Sequence, residues 1–133
     1  MSNESPEIKI VGVQKETIKV SSDKEDFWVI PFKLSLIPDK VWEKKFFDVQ
    51  QRDDDDMKRK TRIVNDSLEV EVFEDDDLQK ILDVVKGEIA EANAQCEEDY
   101  QKKLKIRRDV EELRQRQTKA TQKFKDETDK LTF

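Results

Sequence analysis

Residues 52–60 read RDDDDMKRK. Four consecutive carboxylates, Asp53, Asp54, Asp55 and Asp56, are followed within two residues by Lys58, Arg59 and Lys60. Carboxylates at this density are the residue type that binds hard divalent cations. A calcium loop, however, alternates its ligands and turns on a glycine, and this stretch does neither. Consecutive side chains diverge, so four neighbours do not converge on one ion. The stretch reads as a solvated connector whose acidic half faces its basic half, with a docking patch for a charged partner as the functional alternative. The run EDDD at 74–77 has a local explanation. Carboxylates in a first helical turn satisfy free N–H groups and complement the helix dipole. Asp76, followed three residues later by Gln79, fits a capping box.

Glu69 and Glu71, with Glu74 beyond, are the remaining grouped carboxylates. Acid–base catalysis by such a pair requires burial that splits their proton affinities. Alternating with Leu68, Val70 and Val72, they read as the wet face of a strand instead. The chain contains no histidine and a single cysteine, Cys96. That removes the commonest general base, the commonest zinc ligand, the Ser-His and Cys-His nucleophile systems, and any intrachain disulfide. No phosphate loop, nucleophile elbow or dinucleotide fingerprint is present. The expectation is a noncatalytic protein with no catalytic, cofactor-binding or metal residues and no cofactor.

The elements that must position anything are few and long. The 133 residues contain 44% charged and 35% apolar side chains, two Gly and three Pro, with a formal net charge of −6. A core is possible but small. The N-terminus lacks a basic and an apolar region of the secretory kind, and no apolar run approaches membrane-spanning length. A cytoplasmic location is expected, with no membrane partner. The triplets NES at 3–5 and NDS at 65–67 match the glycosylation acceptor pattern without a secretory context that would give it meaning.

Strand patterns occupy the first part of the chain. Ile8 and Ile10 alternate with charged residues, and Ile18 and Val20 repeat this after a turn near Lys15 and Glu16. In WVIPFKLSL, Trp28, Ile30, Phe32, Leu34 and Leu36 share one face. Pro31 lacks an N–H, which predicts an edge or a bulge there. RIVNDSLEVEVF predicts a hairpin turning at Asn65–Asp66. Between them, Trp42, Phe46 and Val49 stand at helical spacing over about 39–51, and both Trp28 and Trp42 are expected in the core. From Asp76 the period becomes helical through Leu78, Ile81, Leu82, Val85, Ile89, Ala92 and Cys96, then more weakly to Leu131. A single helix over 76–130 would be about 80 Å long. The predicted fold is α+β. A small antiparallel sheet of about four to five strands packs on one short helix and a long C-terminal helix that extends as a stalk or coiled coil. Residues 1–99 form the α+β domain and 100–133 a basic distal helical extension.

The distal helix carries the functional expectation. Residues 102–125 hold ten basic and three acidic side chains, whereas 76–99 hold two basic and eight acidic. Positions 106, 110, 113, 117, 120, 124, 127 and 131 follow a 4,3 spacing that generates a helix seam. Ile106, Val110, Leu113, Phe124 and Leu131 are apolar there, Ala120 is small, and Gln117 and Glu127 are polar. The expected interaction residues are Ile106, Val110, Leu113 and Phe124, flanked by Arg107, Arg108, Arg114 and Arg116. They predict a protein–protein interaction or assembly protein, an accessory subunit or inhibitor in a bacterial or viral complex. Its partner would be a second copy, paired antiparallel with acidic half against basic half, or another helical protein. The alternative is a nucleic-acid-binding accessory protein using the basic distal helix. Against it stand the overall acidity and the lone aromatic, Phe124, in the basic stretch.

Overall fold

The computed structural model describes residues 7–22 and 25–133, so the acceptor triplet at 3–5 lies outside the described residues. The fold is α+β. Strands β1 (Ile10–Val13), β2 (Lys19–Val20), β3 (Phe27–Leu34), β4 (Thr61–Val64) and β5 (Ser67–Phe73) form one antiparallel sheet in the order β1-β3-β5-β4, with β2 also pairing β3. Helix α1 (Lys40–Arg52) lies between β3 and β4, and helix α2 (Leu78–Thr128) follows β5. Two compact units result: residues up to Glu97, and Glu98–Phe133.

Alternation in β3 and β5 builds the core of the first unit. Ile30 is paired with Val70 and Phe32 with Leu68, and these residues, together with Leu34 and Val72, are buried. Against them pack Trp42 and Phe46 of α1 and Ile81, Val85, Ile89 and Ala92 of α2. Asp39 starts α1 by accepting the Trp42 N–H at 2.8 Å. Trp42 itself is 3% exposed, whereas Trp28 is 38% exposed. The expectation of a core Trp28 is therefore corrected. Its cross-strand neighbours are Val72 on one side and the exposed Val20 of the two-residue β2 on the other.

At Pro31 β3 is a central strand rather than an edge, and the irregularity expected there lies in the neighbouring chain. Pro31 pairs with Glu69 on the β5 side. On the other side β1 ends at Val13, the chain detours through a 3₁₀ turn at Lys15–Thr17, and pairing resumes at Lys19. The Pro31 carbonyl accepts the Gln14 N–H at 2.9 Å, just where β1 leaves the sheet. A proline fits a central strand here because the neighbouring chain steps away where its missing donor would be needed.

Turn and cap chemistry complete the frame. Asn65 takes φ 56° between β4 and β5, a left-handed conformation that asparagine tolerates better than most residues. The residue capping α2 is Asp77, which accepts the Gln79 N–H at 3.0 Å. Asp76 is not the cap. Its carboxylate accepts the Phe73 N–H at 2.7 Å and closes the turn after β5. Asn93 of α2 joins three segments. Its Oδ1 accepts the Ile8 N–H and the Trp42 Nε1–H, and its Nδ2 donates to the Ile8 carbonyl.

Candidate interaction surface

The aspartate stretch proves to be local architecture rather than two facing halves. Asp53 accepts the Asp55 N–H at 3.0 Å, and Asp55 accepts the Met57 N–H at 2.8 Å. Each carboxylate thus folds the connector over its own backbone. The basic residues reach elsewhere. The Lys58 ammonium donates to the Gln50 carbonyl. Arg59 makes a bidentate pair with Asp76, Nε to Oδ2 at 2.9 Å and Nη2 to Oδ1 at 2.7 Å. Both members are largely enclosed. The guanidinium hydrogen bond holds the Asp76 carboxyl below its ordinary value, while burial opposes the shift. The same bond raises Arg59. The basic end of the connector is therefore riveted to the entry of α2 at Arg59. Among the described residues, no group of three or more His, Cys, Asp or Glu could hold a metal ion.

Beside this connector lies a cleft of about 430 Å³, lined by Asp53, Asp54 and Asp55 from the connector and by Asp83, Glu88 and Glu91 from α2. Glu88 is the residue that sequence reasoning missed. It is 3% exposed on the buried face of α2. Its Oε1 accepts from Gln50 Nε2 at 3.3 Å, and Gln50 in turn accepts from Thr61 Oγ1 at 2.6 Å. Its Oε2 is enclosed without a hydrogen-bond partner. Burial, and then the neighbouring Asp53 carboxyl, push Glu88 up to about 7. Positions 81, 85, 88 and 92 follow the same helical spacing as the core stripe, so its place on the buried face was present in the sequence as a signal.

The expected interaction residues lie on the second unit. Ile106 is 61% exposed, Val110 51%, Leu113 48% and Phe124 61%. Leu131 is exposed as well. Arg107, Arg108, Arg114 and Arg116 are exposed on the same helical segment. The pairs that stabilise it are local: Lys102 with Glu98, Arg114 with Glu111 at 3.8 Å, and Lys123 with Glu127. Such exposed pairs contribute only about 0.3–0.5 kcal/mol each. The proximal stripe is placed differently. Ile81, Val85, Ile89 and Ala92 are buried against the sheet. The proximal apolar face of α2 is thus covered within the first unit.

Glu69 faces Arg62 across β4 and β5 at 3.7 Å, an ordinary cross-strand charge pair. Cys96, the single cysteine, packs at the margin of the core. No helix among the described residues is long and apolar enough to cross a membrane. Comparison with protein-family models, with curated proteins and with solved structures finds no match.

Proposed function

We propose that this chain is a noncatalytic association protein and that the face of α2 carrying Ile106, Val110, Leu113 and Phe124, continued by Leu131, is its contact surface, with a second copy of the chain as partner. One observation carries the reading: five apolar side chains at seam spacing are all about half exposed or more. The charge pattern supports a pairing direction. Five basic residues lie in 102–108, three acidic in 109–112, five basic in 114–125 and three acidic in 126–129. Parallel pairing in register sets like blocks side by side. Antiparallel pairing within the distal segment brings 102–108 towards 126–129, and 109–112 towards the basic block.

The energetics make this a modest association. Covering the exposed part of each seam residue yields about 1 kcal/mol, so two copies gain on the order of 10 kcal/mol. Association costs about 4–15 kcal/mol. The polar seam positions Gln117 and Glu127 weaken the contact further. The gain exceeds the cost by at most about 6 kcal/mol, so the expected dissociation constant is tens of micromolar or weaker.

Sedimentation equilibrium of the full chain tests the proposal. The mass should exceed that of a monomer at high micromolar concentration, and Leu113→Asp should return it to monomer. Replacing Arg107, Arg108, Arg114 and Arg116 with Gln distinguishes the nucleic-acid reading. If that variant keeps the oligomer mass while the parent binds a short duplex with steep salt dependence, the basic side chains serve phosphates instead. A monomeric parent chain would remove the self-association reading.

A further inference from the structure

We propose that Glu88 and Asp53 form a proton-operated latch. One proton shared between their carboxyl groups holds the aspartate connector 53–56 against the proximal part of α2, and loss of that proton frees the connector and widens the cleft.

The geometry demands a proton at this point. Glu88 is almost wholly enclosed, and its Oε2 has no N–H or O–H directed at it. Asp53 lines the same cleft as Glu88, and its carboxyl acts to hold the proton on Glu88. Two ionised carboxylates so placed repel, and an unsatisfied buried oxygen adds a desolvation cost. With one proton between them the contact becomes an O–H donating to a carboxylate. Asp53 is well placed to transmit the change, because it ends α1, its N–H donating to the Val49 carbonyl. It also accepts the Asp55 N–H, so the connector's fold depends on where Asp53 sits.

The other charges around Glu88 decide which way the balance falls. From α1 and the connector come Arg52, Asp54 and Asp55 at the cleft, and Lys58, whose ammonium favours the ionised form of Glu88. From α2 itself come Asp83 and Glu91. Lys58 is committed to the Gln50 carbonyl, and Arg52 Nε donates to the Asp48 carbonyl. Carboxylates therefore outnumber cations around the cleft, which favours retention of the proton. When it leaves, the two sides do not yield equally. Glu88 stands on a helix anchored by the buried stripe of Ile81, Val85, Ile89 and Ala92, whereas Asp54, Asp55 and Asp56 are exposed. The connector is the side that moves.

Residue-resolved amide exchange on the full chain tests this, with the amides of Asp53, Met57 and Lys58 as reporters. Corrected for intrinsic rates, their protection should be constant at acid pH. It should then fall, by up to about tenfold per pH unit, across a transition between the ordinary carboxylate value of 4.5 and about 7, and level off above it. Amides of β5 and of α2 around Val85 should not change. Glu88→Gln supplies a neutral donor and should keep the connector protected throughout. If that variant fails to fold, Asp53→Asn supplies the donor from the other side and should give the same flat profile. Parent protection that stays constant across that pH range, or a transition that persists unchanged in the folded variants, overturns the latch.

Discussion

Asn93→Ala should be among the most costly single substitutions in the first unit, although residue 93 is neither charged nor apolar. Its amide makes three bonds: Ile8 N–H to Oδ1 at 3.1 Å, Trp42 Nε1–H to Oδ1 at 2.8 Å, and Nδ2 to the Ile8 carbonyl at 2.8 Å. Each such bond contributes about 0.5–1.5 kcal/mol net. Trp42 is 3% exposed and Ile8 4%, so the groups left behind are poorly placed to recover a partner from water. A total loss of about 3–4 kcal/mol follows, a large share of the roughly 5–15 kcal/mol that holds a domain together. Urea unfolding followed by circular dichroism should show a lowered midpoint with little change in slope. Trp42→Phe removes the indole donor while keeping an aromatic ring. In that background Asn93→Ala should cost about 1 kcal/mol less, because the donor it would strand is gone. A single-variant loss below about 1 kcal/mol, or strict additivity in the cycle, would refute the account of Asn93 as the junction of three segments.

Gly87→Ala should stabilise by about 0.5–1 kcal/mol in thermal or urea unfolding, since a Cβ there meets nothing within 4 Å and the residue lies inside a helix. Asp54→Ala, at an exposed site, should change stability by less than about 0.5 kcal/mol and show no calcium or magnesium dependence. Asp76→Ala should cost about 2–3 kcal/mol by the same measurement, because it breaks the bidentate bond to Arg59. The pH profile has two limbs. Glu88 binds its proton more tightly folded than unfolded, so its contribution declines as pH rises from about 4.5 to about 7, by at most about 3 kcal/mol. Asp76 is shifted down, so its contribution is present above the ordinary carboxylate value and is lost as pH falls through its folded value. Urea titrations across this range should place maximal stability in mildly acid solution, and Glu88→Gln should flatten the upper limb.

The class of fold was legible because its signals are local. Alternation in Leu68, Val70 and Val72 assigns a strand face, and the spacing of Trp42, Phe46 and Val49 assigns a helix face, whatever lies opposite. The turn at Asn65 and the change of period after residue 76 are equally local. The apolar spacing along the distal helix is local as well, and its residues are exposed. What the sequence alone left open depends on where separate segments meet. Whether Asp76 or Asp77 caps α2 was decided by Arg59, which claims the first carboxylate from seventeen residues away. Whether Pro31 marks an edge was decided by the detour of the chain between β1 and β2. Trp28 shares the pattern of the core strand but stands beside the exposed Val20 of the two-residue β2 and is itself exposed. Glu88 follows the apolar spacing, yet its meaning required Asp53 and Gln50 to be brought beside it, and Asn93 carries no signal until Ile8 and Trp42 converge on its amide. Periodicity records which face a residue takes, whereas partners distant in sequence are set by packing, and polar groups draw their energy and their chemistry from those partners.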